Sequence, residues 1–223
     1  MSTTLILNLI LGVATVAVAN WTTNQQIGLL NWIPIPLWLQ VLVTLLVMDL
    51  FAQYIPHYLI HKVKFLWRFN VVQHSDTHVD VSTGTRHHPG EGLLRESFTI
   101  IGIIMGVPVG LYFMHRSFQA LFTYFNHANI ILPKWLDRTI SLVFVSPDMH
   151  KFHHHHKRPW TDMNFANSFS VWDRLFGTLV YDDTNKIQYG IDTLDGRLDE
   201  NISFQMKVPF TYSVQVSRPA IEE

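Results

Sequence analysis

Long uncharged stretches of hydrophobic residues alternate with polar segments along this chain. The stretches cover residues 3–19, residues 29–55 with Asp49 as the one charged side chain, and residues 97–133. A helix needs about 20 residues to cross the hydrocarbon layer of a membrane. The third stretch is long enough to cross twice, so we expect helices at 97–114 and 117–133, joined by a turn at His115 and Arg116. The pattern predicts four transmembrane helices.

The basic residues lie on one side of this predicted membrane. Fifteen of the sixteen Lys and Arg residues fall within residues 62–95 or from residue 134 onward, and Arg116 is the exception. Cytoplasmic loops carry the excess of basic residues, so both segments should face the cytoplasm. We therefore predict an all-α integral membrane protein formed by one domain, residues 1–223. Residues 57–95 and 134–223 would form a histidine-rich helical cap on the cytoplasmic side.

Composition restricts the chemistry that this cap could perform. Charged residues make up 15% of the chain and hydrophobic residues 48%, whereas about 25% of a soluble domain is charged. The net charge of −1 gives no reason to expect a nucleic acid as a partner. The chain has 13 histidines and no cysteine, so a metal site must use nitrogen or oxygen ligands.

The histidines are spaced as metal ligands on helices often are. His57 and His61 are four residues apart at the end of the second hydrophobic stretch, and residues at this spacing share a helix face. His150, His153 and His154 follow the spacing i, i+3 and i+4, so the same helix face should carry all three.

Three further histidines reach the same membrane face by topology. His74 and His88 lie in the polar segment before the third stretch, and His127 lies near the end of the fourth predicted helix. His115 would lie at the opposite end of the hairpin and cannot join them. Neutral imidazole suits iron, copper, zinc and nickel, and one ion takes about four to six ligands. Eight converging histidines therefore indicate two metal ions.

The motifs that hold these histidines resemble, in order, those of the fatty acid hydroxylase and sterol desaturase superfamily of membrane di-iron oxygenases. The resemblance extends over residues 49–177. The matching segments are HYLIH (57–61), WRFNVVQHS (67–75), DVSTGTRHHPGE (80–91), HAN (127–129), PDMHKFHH (147–154) and WDRLFGT (172–178).

This resemblance implies a membrane enzyme with two iron ions that uses O2 and an external electron donor, such as a cytochrome or ferredoxin. The enzyme would hydroxylate or desaturate a lipid-type substrate (fatty-acyl, sterol, carotenoid or similar) in a bacterial inner membrane or the endoplasmic reticulum. We expect its pocket to be lined by Leu, Ile, Val and Phe. The catalytic metal ligands that it implies are His57, His61, His74, His88, His127, His150, His153 and His154.

The chain departs from the family pattern at two ligand positions, which carry Asn70 and Gln73. A neutral amide is a poorer ligand for a transition metal than imidazole, although His78 or His87 could substitute. A metal-binding relative without oxygenase activity is therefore an alternative, and a histidine-lined metal transporter is a weaker one. Acceptors for the free N–H groups of the ligating imidazoles could come from Asp76, Asp80, Glu91, Asn164 and Asp173.

Overall fold

The computed structural model describes residues 2–157, 159–182, 187–191 and 201–211. These residues contain no β-strand, only an isolated antiparallel bridge between Phe144 and Phe169. The prediction of an all-α fold is confirmed. The α-helices are α1 (Ser2–Asn24), α2 (Leu29–Trp32), α3 (Leu37–Met48), α4 (Ile55–Lys62), α5 (Lys64–His74), α6 (Pro89–Ile104), α7 (Val109–His127), α8 (Lys134–Ser141), α9 (Pro147–His153), α10 (Val171–Leu175) and α11 (Ile202–Lys207).

Among the described residues, one helix is long and apolar enough to cross a membrane. It covers the 26 residues Leu37–Lys62 and comprises α3, a π-helical segment (Asp49–Tyr54) and α4. The prediction of a helix at 29–55 is wrong at both ends. Pro34 and Pro36 separate the short α2 from α3, because proline donates no backbone hydrogen bond and disrupts a helix interior.

The hairpin of the third hydrophobic stretch turns about ten residues earlier than expected. α6 ends at Ile104 and α7 begins at Val109, so the predicted boundaries 97–114 and 117–133 are wrong. Gly106 adopts a φ of 93° in this turn, a conformation that glycine accepts readily, and Pro108 is the N-cap of α7. His115 is therefore buried within α7 and does not lie at the turn.

The two connections at one end of the helical bundle pack against each other. The backbone N–H of Leu30 donates to the carbonyl of Met105 over 3.0 Å. A Cβ atom on Gly28 would lie 2.2 Å from the backbone nitrogen of Gly106, so only glycine permits this approach. The carboxyl ends of α4 and α7 consequently lie at the other end of the bundle, where His57, His61 and His127 are found.

A buried carboxylate ties the loop before α10 to the long helix. Asp49 is fully buried and accepts hydrogen bonds from the backbone N–H groups of Ser168 (3.2 Å) and Phe169 (3.1 Å) and from Trp172 Nε1 (3.0 Å). Because an unpaired buried carboxylate is costly, these three donors explain why the helix tolerates its one acidic residue. Asp49 thereby fixes the loop that approaches the histidines.

Candidate metal centre

Seven of the eight histidines expected as metal ligands lie together in two groups. The four-histidine cluster consists of His57, His61, His74 and His153, and the three-histidine cluster consists of His127, His150 and His154. Within each cluster the ring nitrogens that could bind an ion all lie within 4.8 Å of one another. All seven side chains are buried.

The four-histidine cluster forms where three helices end. His57 and His61 lie one turn apart on α4, His74 is the last residue of α5, and His153 is the last residue of α9. The ring centroids of His57 and His153 are 4.4 Å apart, and those of His61 and His74 are 4.8 Å apart. The predicted pairing of His57 with His61 on one helix face therefore places both rings in the same cluster.

In the three-histidine cluster, two Nε2 atoms lie at nearly equal distances from a third. His127 Nε2 lies 3.1 Å from His150 Nε2 and 3.2 Å from His154 Nε2. Two imidazole nitrogens that bind one ion at about 2.1 Å and at a right angle lie about 3.0 Å apart. The spacing of these three nitrogens thus fits ligands of a single transition-metal ion.

One short helix, α9, contributes to both clusters. Ser146 accepts a hydrogen bond from the Met149 N–H at its start, and Pro147 occupies its first turn, both favourable arrangements at a helix N-terminus. The three histidines predicted to share one helix face divide between the two clusters. His153 joins the four-histidine cluster, whereas His150 and His154 join the three-histidine cluster.

His88 lies outside both clusters. Its Nδ1 accepts a hydrogen bond from the backbone N–H of Gly90 over 3.0 Å, so His88 caps the N-terminus of α6. Its ring packs against Phe69 and Phe210. The side chain therefore has a structural role at the helix start that the linear motif does not reveal.

The two candidate substitutes also lie outside the clusters. His78 is exposed, and its Nδ1 lies 2.9 Å from the Thr77 hydroxyl. His87 is closer to the site, but its Nδ1 pairs with Glu91 Oε1 over 3.0 Å and its Nε2 donates to the Gly84 carbonyl over 3.1 Å.

The two amides that replace histidines of the family pattern lie against different clusters. Asn70 Nδ2 is 2.8 Å from His61 Nε2 in the four-histidine cluster. Gln73 Nε2 is 3.3 Å from His127 Nε2 in the three-histidine cluster. Both amides are buried, and the oxygen of each has no hydrogen-bond partner among the described residues. Each cluster therefore has an amide where the family pattern has an imidazole.

Backbone carbonyls orient the rings. The Nδ1–H groups of His57, His153 and His127 donate to the carbonyls of Phe165, Met163 and Thr123, each over 2.8 Å. This arrangement leaves the Nε2 lone pairs free to point into the clusters, as in ligating histidines generally. The Nε2 atoms of His57 and His153 are buried without a protein partner, which is the environment that a metal ion would complete.

None of the five residues expected to accept these N–H groups does so within the described part of the chain. Asp162 lies nearest to this role, with its Oδ1 3.5 Å from His61 Nδ1. Asp173 acts on the rings only indirectly. It accepts hydrogen bonds from the backbone N–H groups of Phe165 (2.8 Å) and Ala166 (3.1 Å), and the Phe165 carbonyl in turn bonds to His57. The remaining expected acceptors, which bond elsewhere, are Asp76, Asp80, Glu91 and Asn164.

Asn164 holds the same loop in an unusual backbone conformation. Its φ is 54°, and its amide nitrogen donates to the carbonyls of Met149 (2.8 Å) and Val180 (2.7 Å). Asparagine tolerates this left-handed region better than most residues. It thereby sets the direction of the neighbouring Met163 and Phe165 carbonyls, a role different from the one expected for Asn164.

The surroundings keep the rings neutral. Burial lowers the pKa of His74, His150, His153 and His154 well below the ordinary value of 6.5, because the charged form would lose its hydration. A neutral imidazole keeps a lone pair for a metal ion. An all-nitrogen set of neutral donors suits iron, copper, zinc or nickel rather than magnesium or calcium. The two clusters therefore fit transition-metal ions.

A cavity of about 260 Å³ borders both clusters. Three of the clustered rings line it, those of His57, His127 and His150. Twelve of its fifteen lining residues are polar, and the other three are glycine or alanine. The expectation of a pocket lined by Leu, Ile, Val and Phe is therefore wrong for this cavity.

Comparisons with known proteins relate this site to described enzymes. The fatty acid hydroxylase family matches residues 41–178. The chain is 31% identical to sphinganine C4-monooxygenase 2 of Arabidopsis thaliana over 197 residues, and the aligned region covers 84% of this chain and 71% of that protein. It is 26% identical over 171 residues to an ornithine lipid hydroxylase of Rhizobium tropici, in an alignment that covers 75% of this chain and 49% of that protein. It is 25% identical over 128 residues to an alkylglycerol monooxygenase of Caenorhabditis elegans, in an alignment that covers 57% of this chain and 25% of that protein.

The extent of these matches differs between the relatives. The chain spans only 25% to 31% of the length of the alkylglycerol monooxygenases that it matches. No solved structure matches it. The family match, in contrast, includes all seven clustered histidines and more than half of the chain. This chain belongs to the fatty acid hydroxylase family.

Proposed function

We propose that the protein is a membrane-bound, non-haem di-iron oxygenase that hydroxylates or desaturates a lipid-type substrate. O2 would be the oxidant, and a protein such as a cytochrome or ferredoxin would supply electrons. The observation that carries this proposal is the pair of adjacent clusters of buried, neutral imidazoles bordering one cavity. The relatives, whose names describe them as lipid hydroxylases and monooxygenases, support it.

Each cluster would hold one of the two ions. The ligands would be His57, His61, His74 and His153 for one ion and His127, His150 and His154 for the other, so His88 leaves the proposed ligand set. Bound iron supplies the chemistry of O2 activation that no side chain provides. In hydroxylation, one oxygen atom enters a C–H bond and the other leaves as water, with two electrons from the donor protein and two protons.

The chain itself provides orientation and exclusion of water. The carbonyls of Met163, Phe165 and Thr123 hold three rings with their Nε2 atoms turned inward. Both clusters are buried, which protects a reactive oxidant from side reactions with solvent. These roles need a rigid loop, and the hydrogen bonds to Asp49 and Asp173 supply that rigidity.

The proposed membrane arrangement has four spans, formed by α1, the long helix Leu37–Lys62, α6 and α7. Two features support it: the connections at 25–28 and 105–108 meet at one end of the bundle, and the clustered histidines lie at the other. The distribution of Lys and Arg favours a cytoplasmic location for the histidine end. The membrane would be a bacterial inner membrane or the endoplasmic reticulum.

Metal analysis and lipid analysis together test the proposal. We expect protein purified from iron-supplemented cells to contain about two iron ions per chain. Extracts of cells that express the gene should contain an oxygenated or desaturated lipid that is absent from cells expressing His153→Ala. Iron-free protein, or identical lipid extracts from the two strains, would contradict it.

A metal-binding relative without oxygenase activity is the second candidate. The observation that favours it is the position of the Asn70 and Gln73 amides against the two clusters, where the family pattern has imidazoles. This candidate predicts protein that retains metal but neither consumes O2 with a reduced electron donor nor alters any lipid. Measurement of O2 uptake by the iron-loaded protein separates the two candidates.

A further inference from the structure

Most side chains that line the cavity beside the clusters carry a polar group, although the substrate is expected to be a lipid. Among the described residues, its lining contains no Leu, Ile, Val, Phe or Met. Ligand pockets usually have volumes of about 300–1,000 Å³ and are mostly apolar. A cavity of about 260 Å³ with this lining suits a polar group better than a long acyl chain.

Of the residues that the structure describes, one permanent cation and no carboxylate line the cavity. Arg95 is held from α6 by a hydrogen bond from its Nε to Glu91 Oε1 over 2.8 Å, and buried Glu91 also pairs with His87 over 3.0 Å. These contacts fix the guanidinium but leave its two terminal nitrogens without hydrogen bonds in the described part of the chain. Arginine offers five N–H donors and no acceptor, so Arg95 suits a ligand with acceptor oxygens.

An amide from the long helix faces the same space. Gln53 lies one turn before His57, lines the cavity and is 4% exposed. Within the described residues its amide makes no hydrogen bond. The amide opens onto the cavity, so a polar ligand there can hydrogen-bond to it. Gln53 and Arg95 therefore offer donors from two different helices to a ligand that lies beside His57 and His127.

We propose that the cavity takes the polar headgroup of the lipid substrate and that oxidation occurs in this headgroup or at the carbons next to it. The headgroup is rich in acceptor oxygens, such as those of glycerol, an amide or a phosphate, and it carries no isolated positive charge. Its chain extends away from the clusters. This inference rests on the proposed function, in which one oxygen atom of O2 enters a C–H bond and the other leaves as water with two electrons from the donor protein and two protons.

A binding experiment tests the headgroup without requiring turnover. Purified protein in lipid nanodiscs is titrated with three amphiphiles that share a dodecyl chain and carry a glycerol, a phosphate or a trimethylammonium headgroup. We expect the glycerol or the phosphate compound to bind about tenfold tighter than the trimethylammonium compound. The better of the two identifies a hydroxylated or an anionic headgroup. Equal binding of all three amphiphiles would overturn the inference.

Two variants assign this preference to the cavity. Arg95→Met should remove most of the tenfold preference, whereas Lys64→Met, which removes an exposed cation from α5, should retain it. Gln53→Leu nearly preserves side-chain volume and should reduce the preference about threefold, even if Arg95→Met fails to fold. A preference that is undiminished in both Gln53→Leu and Arg95→Met would show that the headgroup binds elsewhere.

The position of the new oxygen provides a second test. Fragmentation mass spectrometry of the lipid product should place it in the headgroup or on the first few carbons of the chain. Oxidation at a distal methylene would overturn the headgroup inference while leaving the oxygenase proposal intact. Selective binding with no oxidation product would instead contradict the oxygenase proposal and support the headgroup site.

Discussion

The two clusters differ in ligand number and in what surrounds them. The four-histidine cluster has four imidazoles, and two of its rings donate to carbonyls of the loop that Asp49 and Asp173 fix. The three-histidine cluster has three imidazoles and the Gln73 amide, and two of its rings border the cavity. In the proposed di-iron enzyme the first would be the tighter, anchoring ion site and the second the weaker ion site, which borders more of the cavity.

Loss of one imidazole from the anchor should have the largest effect. In His153→Ala we expect the iron content to fall below about two ions per chain, because the four-histidine cluster keeps only three imidazoles and the Asn70 amide and binds its ion more weakly. The matched control is His155→Ala, from the same histidine run, whose ring packs on His156 and Trp160 outside both clusters. Equal iron loss in both variants, measured by mass spectrometry, would contradict the assignment.

A chelator should remove the ions of the two clusters at different concentrations. We expect a chelator titration of the iron-loaded protein to remove the ions in two steps that differ by at least about tenfold in chelator concentration. In His150→Ala, the step at low chelator concentration should disappear, because that variant lacks a ligand of the weaker site. Release of both ions in one step would remove the distinction between the clusters.

Restoring imidazoles should affect the clusters unequally. Gln73→His gives the three-histidine cluster a fourth imidazole and should tighten its ion about tenfold, or about 1.4 kcal/mol. Asn70→His adds a fifth imidazole to the other cluster and should change its affinity by less than about threefold. Competition with a calibrated chelator measures both affinities. A larger gain in Asn70→His would reverse our ranking of the clusters.

Loosening the supporting loop should have the smallest effect on metal affinity. Asp173→Asn places an amide N–H₂ near the backbone N–H groups of Phe165 and Ala166, and it should lower the free energy of unfolding by about 1–3 kcal/mol. Because the Phe165 carbonyl orients His57, we expect a few-fold weaker ion in the four-histidine cluster. The three-histidine cluster is the internal control, and an equal loss there would indicate general unfolding.

Spacing along a helix accounts for only part of the histidine grouping, because it determines which side chains of one helix are neighbours but not which cluster each side chain joins. His57 and His61 meet in one cluster, and the hairpin returns His127 to the same end of the bundle. The polar pair His115 and Arg116 suggests a loop within the apolar stretch, but the turn lies elsewhere. Gly106 and Pro108 are the better guide to it, because they restrict the backbone directly.

Other features depend on tertiary contacts that no linear pattern contains. His88 follows the family motif but caps α6, and His87 pairs with Glu91. The acceptors that orient the rings are mostly main-chain carbonyls, which every residue has and which therefore leave no trace in the sequence. The polar cavity likewise arises from residues contributed by several distant segments.

α9 fixes the spacing between the two clusters. Its single helical stretch delivers His150 to one cluster and His153 to the other, and each residue of an α-helix advances about 1.5 Å along the axis. The separation between the two clusters therefore depends on backbone hydrogen bonds within one turn and does not require a bridging side chain. A change that bends or unwinds this turn would alter the distance between the two proposed ion sites while leaving every histidine in the sequence.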